Sequence, residues 1–391
     1  MRVLVTGASG FIGGNLCAFL ETCEGIEVLR HDVGVSSSDL DAMLGVADIV
    51  FHLAGVNRPE DEEEFRHVNV GLTQTICGIL HQTDRHVPIV LASSIQAHLD
   101  NPYGISKRQA EACVRNYAEE LGGRAVIYRL ANVFGKWCRP HYNSVVATFC
   151  HCIARGEPIH VSDPERRLRL VHIDDVILQW KTELGNEGSR KGLIYREVGP
   201  QYEKTLAELA GLIYSFREMR QTVRLPDLGD DFLRKLYGTY VSYLAEEDFA
   251  YDMDVKYDSR GGLAEFVKSP GSGQIFVSRT KPGITRGNHF HHTKTEKFLV
   301  VQGEAVIRFR SIRGGMVLEY RVSGDEFKVV DIPPGYTHSI ENIGAGELVT
   351  LFWASESYDP EMPDTYALPV LADAGTKERM HESLDHNRNK A

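Results

Sequence analysis

Two groups of residues in this chain have the types and spacing for chemistry. The first is Tyr103 and Lys107, four apart in a stretch that reads as helix, so both side chains share one face. A free phenol titrates near pH ~10 and is a poor acid–base group at neutral pH. A nearby ammonium stabilises the phenolate and is expected to lower that pKa. Ser93 and Ser94 end the preceding apolar run, where a hydroxyl can orient a substrate carbonyl. The second group is His289, His291, Glu296 and His338. His289 and His291 are two apart on an expected strand and face the same way. Glu296 falls after a turn on the next strand, and His338 comes from a separate hairpin. Three imidazoles and a carboxylate converging among strands can bind a divalent metal and leave room for substrate. His292 lies on the opposite face; it and Lys294 are candidate acid–base groups.

The elements that must position these groups differ along the chain. Arg2 to Thr6, Glu27 to Arg30, Ile49 to Leu53, Ile89 to Ala92 and Ala125 to Tyr128 read as strands. Phe11 to Leu20, Glu62 to His81 and Tyr103 to Leu121 read as helices between them. That alternation predicts parallel βαβ units in a doubly wound α/β sheet of Rossmann type. The first strand runs into Thr6-Gly7-Ala8-Ser9-Gly10-Phe11-Ile12-Gly13, a glycine triplet that opens a helix. Gly7 allows the turn, Gly10 lets backbone approach a pyrophosphate, and Gly13 lets the helix pack on the sheet. At the end of the second strand, where an acidic residue would bind the ribose 2′-hydroxyl of NAD, stand Arg30 and His31. Arg30 can pair with a 2′-phosphate, so NADP is expected.

After about Asp254 the texture becomes β-rich. Ile275 to Arg279, Lys297 to Val301, Ala305 to Phe309, Leu318 to Val322, Lys328 to Ile332 and Leu348 to Trp353 are short runs separated by Gly and Pro turns. An all-β sandwich or barrel is expected there. The domain boundary is placed within Ala245 to Asp258. That gives a dinucleotide domain over 1–247, a β-domain over 248–370 and a flexible polar tail over 371–391.

Composition sets the outer limits. A chain of 391 residues is too long for one core. A net charge of −11 argues against a broad nucleic-acid or anionic-membrane surface. The seven cysteines all precede residue 153 and include no CxxC pair, so buried, reduced thiols of a cytoplasmic protein are expected. No signal peptide and no membrane span is read.

These motifs carry a resemblance. The glycine loop, His52-Leu53-Ala54-Gly55, Ser94, Tyr103, Lys107 and Asn132-Val133-Phe134-Gly135 resemble the extended short-chain dehydrogenase/reductase family, which acts largely on nucleotide-sugars. The resemblance implies a triad of Ser94, Tyr103 and Lys107. It implies a cofactor site of Gly7, Ser9, Gly10, Phe11, Ile12, Gly13, Arg30, Leu53, Ala54, Gly55, Tyr103 and Lys107. Asn132, Asn143 and Ser144 would contact the nucleotide-sugar. Gly283-x5-His289-x-His291-x4-Glu296-x6-Gly303 and Pro333-x-Gly335-x2-His338-x3-Asn342 resemble the two cupin motifs, implying a cupin barrel with those four metal ligands. The second motif departs from the pattern, with eight residues rather than five between Gly324 and Pro333. His52 to Pro59, Phe134 to Cys138, Tyr142 to Val145 and Pro363 to Tyr366 are similar to the bifunctional capsular-polysaccharide enzymes of the UDP-N-acetyl-L-fucosamine pathway. That family implies metal-dependent C3 epimerisation of a UDP-2-acetamido-2,6-dideoxy-4-hexulose in the cupin domain. NADPH-dependent C4 reduction to the 6-deoxy UDP-N-acetyl-L-talosamine follows, and zinc and a homodimer are expected. The competing expectation is an NAD-dependent nucleotide-sugar 4-epimerase or dehydratase whose cupin is a sensor or oligomerisation module.

Overall fold

The computed structural model describes residues 1–59, 61–185 and 192–371. Nearly all of the tail expected over 371–391 lies outside them. The described chain forms two compact units, one of residues 1–217 and 230–249, the other of 218–229 and 250 onward.

In the first unit, strands β1 (Arg2–Thr6), β2 (Glu27–His31), β3 (Ile49–His52), β4 (Ile89–Ser94), β5 (Arg124–Leu130) and β8 (Gly192–Arg196) form one sheet. Its order is β2-β1-β3-β4-β5-β8. Every pairing is parallel, as the βαβ pattern predicts. Both faces are apolar because alternate residues feed separate cores. Val3, Val5, Phe51, Val90, Val126 and Tyr128 pack on one side. Leu4, Val50, Ile89, Leu91, Ala125 and Ile127 pack on the other. Helices α1 (Phe11–Leu20), α2 (Ser37–Val46), α3 (Leu72–Gln82), α4 (Pro102–Leu121) and α5 (Val145–Arg155) belong to this unit. The segment expected as helix over Glu62 to His81 begins instead as a π-helix at Phe65–Gly71. Strands β6 (Asn132–Phe134), β7 (Arg167–His172) and β9 (Tyr202–Thr205) make a small second sheet that the sequence reading missed. The main sheet reverses its direction of winding between β1 and β3. A doubly wound sheet opens its ligand crevice at such a switch point, beyond the carboxyl ends of the strands.

From residue 250 onward the second unit is all-β, as expected. One antiparallel sheet contains β10 (Val255–Asp258), β11 (Gly261–Ser269), β12 (Gly273–Thr280), β19 (Leu348–Ala354), β14 (Glu296–Gln302) and β17 (Val329–Ile332), in that order. The other contains β16 (Leu318–Ser323), β15 (Glu304–Ser311), β18 (Tyr336–Asn342), β13 (Thr285–Phe290) and β20 (Tyr366–Ala367). Phe298, Val300, Ile307, Phe309, Ile332, Ile340 and Phe352 from both sheets share one core. Among the described residues, no helix is long and apolar enough to cross a membrane. All seven cysteines are free thiols. Cys17, Cys150 and Cys152 are buried as expected, but Cys23, Cys77, Cys113 and Cys138 are only half-buried.

Candidate active site and candidate metal centre

The crevice at the switch point is a cleft of about 460 Å³. Gly7, Ser9, Gly10, Phe11, Ile12 and Gly13 line one part of it. The loop turns at Gly7, whose φ is +68°, and its N–H is bonded to the His31 carbonyl at 2.8 Å. Gly13 admits no side chain, because a Cβ there would stand 2.0 Å from the Gly7 carbonyl oxygen. Leu53 and Gly55 after β3 also line the cleft. Ala54 does not reach its wall; it backs Gly7, and its N–H donates to the Thr6 hydroxyl at 3.2 Å.

Arg30 is not where the NADP expectation needs it. Its guanidinium pairs with Glu21, both side chains are half-exposed, and Arg30 is absent from the cleft wall. The residue that meets the glycine loop is Asp32, just past β2. It accepts from the Ser9 hydroxyl at 2.6 Å and from the Ser9 N–H at 2.9 Å. Asp32 lies one residue past the strand-end pair Arg30 and His31.

Helix α4 carries the acid–base pair. Pro102 pre-sets the first helical φ, and the Asn101 side chain accepts from the Gly104 N–H at 2.7 Å, fixing the helix start beside the cleft. Tyr103, Lys107, Ser93 and Ser94 all line the cleft. Tyr103 is hydrogen-bonded to Ser94, and Lys107 Nζ lies 5.9 Å from the centre of the phenol ring and donates to the Ala92 carbonyl at 3.1 Å. The two serines divide. The Ser93 hydroxyl is taken by buried Glu111 at 2.6 Å, whereas Ser94 faces the phenol. The expected depression of the phenol pKa is not what the site produces. Burial raises it against the Ser94 hydrogen bond, while burial pushes the Lys107 ammonium down to about 8, opposed by Glu111. Tyr103 therefore keeps its proton at neutral pH, as a proton donor must.

Asn132, Asn143 and Ser144 line the far part of the cleft with Trp137, Arg139 and Tyr142. Asn132 also donates to the Arg169 carbonyl at 2.9 Å, and Ser144 caps α5 by accepting from the Ala147 N–H at 3.3 Å. Asn69 was not foreseen. Its amide bonds both backbone groups of Val56 and the Ser106 hydroxyl, holding the loop after β3 against α4.

In the second unit, the four expected ligands come together. One ligand atom each from His289, His291, Glu296 and His338 lies within 4.8 Å of the others. A register shift between Gly287 and His289, with Asn288 in the left-handed region, sets His289 directly across from His338. His291 falls just beyond β13 rather than on it. Glu296 Oε2 is 3.4 Å from Nε2 of both His291 and His338. His291 is 2% exposed and His338 fully buried, yet neither Nε2 has a hydrogen-bond partner. Each Nδ1 faces a backbone carbonyl instead, that of Asp364 at 2.5 Å for His291 and that of Tyr336 at 3.3 Å for His338. Donation there puts the ring proton on Nδ1 and aims the Nε2 lone pair inward. Burial, helped by the neighbouring imidazoles, pushes His289 down to about 4. Burial opposes ionisation of Glu296, but the imidazoles of His291 and His338 beside it hold its carboxyl at about 2. Three imidazoles, one carboxylate and two orphaned buried nitrogens fit a divalent ion.

Asp364 is the residue this centre hides from sequence. Its carboxylate accepts from the backbone N–H groups of His292, Thr293 and Lys294 at 2.9, 3.0 and 2.9 Å, clamping the loop that follows His291. Lys294 Nζ is occupied by the Pro363 carbonyl at 2.9 Å, while the His292 ring is exposed beside Phe290 and Tyr366.

Residues 3–179 match the NAD dependent epimerase/dehydratase family, and residues 256–366 match the polysaccharide biosynthesis C-terminal domain. A Pseudomonas aeruginosa UDP-2-acetamido-2,6-beta-L-arabino-hexul-4-ose reductase is 44% identical over 370 residues, covering 95% of this chain and 99% of that protein. The capsular polysaccharide assembling protein CapF of Staphylococcus aureus superposes with a TM-score of 0.86 at 46% identity, over 95% of this chain and all of that one. A CapF structure with the inhibitor 3-isopropenyl-tropolone gives 0.82 at 42%, with the same coverage. Identity at this level along nearly the whole length of both chains, spanning the cleft and the histidine cluster alike, makes the chain a member of the CapF-type family of short-chain dehydrogenase/reductases.

Proposed function

We propose that this chain converts a UDP-2-acetamido-2,6-dideoxy-4-hexulose in two steps, C3 epimerisation in the β-rich unit and C4 reduction with NADPH in the dinucleotide unit. The product is the 6-deoxy UDP-N-acetyl-L-talosamine. The observation that carries the reading is the buried four-ligand cluster, with its two orphaned Nε2 atoms, in a chain that already holds a complete reductase constellation. The name of the Pseudomonas aeruginosa relative supplies the keto-sugar of the reduction step. The tropolone inhibitor of the CapF structure presents adjacent carbonyl and hydroxyl oxygens, a chelating pair suited to such a cluster.

When bound, the dinucleotide supplies hydride to C4, and a zinc-class ion supplies Lewis acidity to a ketone oxygen and so acidifies the neighbouring C–H. The rest falls to the chain's own residues. Tyr103 Oη passes its proton to the C4 oxygen, and Ser94 Oγ orients that oxygen. The Lys107 ammonium stabilises the phenolate left behind. The glycine loop brings backbone N–H groups to the pyrophosphate. In the second unit, His289, His291, Glu296 and His338 would hold the ion, and Asp364 would keep the ligand loop rigid. We take this unit as a cupin and the enzyme as a homodimer.

A second reading has one specific observation behind it. Asp32 lies against the glycine loop while Arg30 is tied to Glu21, which suits NAD and a 4-epimerase that recycles it. Purified protein given the 4-keto sugar decides between them. The two-step reading predicts stoichiometric NADPH consumption and a product inverted at C3. A C4-reduced product that forms without net NADPH oxidation contradicts it.

A further inference from the structure

Within the first unit, one cluster of metal-ligating side chains is used by neither step. His141, His151 and Glu157 each bring a ligand atom within 4.8 Å of the others. His141 lies in the turn before α5, its φ of 56° in the left-handed region. Its N–H is anchored to the Thr148 hydroxyl at 3.0 Å. His151 sits on α5, with its ring 5.5 Å from that of His141 and edge-on to it. Gly156, at φ +74°, then ends the helix, and the Glu157 N–H turns back to the Cys152 carbonyl at 2.9 Å, returning Glu157 to the two imidazoles. The sequence spacing of nine and five intervening residues hides this grouping.

We propose that His141, His151 and Glu157 form a second divalent transition-metal site, open to solvent and distinct from the histidine cluster of the β-rich unit. Two imidazoles and one carboxylate match a three-ligand zinc-class site completed by water, and the nitrogen ligands disfavour magnesium and calcium. The buried Cys152 thiol lies 3.7 Å from His141 Nε2 and stays outside the ligand set. Arg155 does not block the position, since its guanidinium donates to the His151 carbonyl at 3.2 Å and the Tyr243 carbonyl at 2.8 Å. The same turn carries Arg139, Tyr142, Asn143 and Ser144, all on the cleft wall. An ion joining His141 to His151 fastens that wall to α5.

The test uses the full chain, stripped with a chelator and titrated with Zn²⁺. In a His289→Ala/His291→Ala background, which removes the β-rich cluster, one equivalent still binds with micromolar affinity or better. Adding His151→Ala to that background removes it. Absence of Zn²⁺ binding in the background, or binding that survives His151→Ala, overturns the proposal. Whether the β-rich cluster itself binds metal does not affect this arm. A second measurement avoids the background altogether. His141→Asn keeps a residue that tolerates the left-handed conformation while deleting the ligand. Amide exchange across 137–148 should slow on adding Zn²⁺ to the unsubstituted protein and not to this variant. Equal slowing in both, or none in either, contradicts the site.

Discussion

The cleft of the first unit and the histidine cluster of the second solve opposite problems. The cleft is a surface feature whose reacting groups already have partners: Ser94 with Tyr103, Lys107 with the Ala92 carbonyl, Ser9 with Asp32. The cluster is buried, and two of its nitrogens face inward with no partner. A buried polar atom left unpaired costs about 1–3 kcal/mol, so such an arrangement persists where a ligand repays it. A site made of satisfied groups tolerates the loss of its ligand; one made of orphans should lose stability as well as activity.

Four substitutions and one pH profile test that contrast. Tyr103→Phe should lower the rate of reduction by roughly 10²–10⁴-fold, the usual worth of a positioned proton donor, and leave the melting temperature unchanged. A matching fall in stability would put the phenol in the structural framework instead. Asp364→Ala should weaken metal binding to the β-rich unit by about 10–100-fold through a loosened ligand loop, without touching reduction of a substrate already inverted at C3. Equal loss of both activities would break the division. Reduction should also decline about tenfold per pH unit above about 8, as Lys107 loses its proton and the phenolate loses its counter-charge. A profile flat to pH 10 removes Lys107 from that role. The smallest effects separate the cofactor readings. Arg30→Ala should raise KM for NADPH several-fold if the guanidinium leaves Glu21 for the 2′-phosphate, and Asp32→Ala should raise KM for NADH if the carboxylate holds the ribose. Whichever substitution changes the NADPH-to-NADH ratio identifies the residue that reads the 2′ position.

Much of the first unit was legible because its signals are local. The glycine triplet follows β1 within seven residues, and Tyr103 and Lys107 are one helical turn apart. Alternating strands such as Val3-Leu4-Val5 announce a sheet covered on both faces. The unforeseen features are those decided by a choice among partners or by distance along the chain. Arg30 could face a phosphate or Glu21, and nothing in the spacing chooses between them. Asn69 acts on Val56 and Ser106 from a π-helical turn that breaks the expected helical period. Asp364 reaches the loop after His291 from 70 to 72 residues away. In the β-rich unit, β11 and β18 were missed because Gly261 to Ser269 and Tyr336 to Asn342 mix polar residues into their buried faces. The histidines could still be chosen, because two-residue spacing on a strand fixes a common face whatever the exact strand ends.

The most direct test of two separable sites is solvent deuterium exchange at C3 of the 4-keto substrate in the absence of NADPH. The account predicts that Tyr103→Phe exchanges C3 at the rate of the unsubstituted protein and that His291→Ala does not exchange it. Undiminished exchange in His291→Ala, or loss of exchange in Tyr103→Phe, would contradict it.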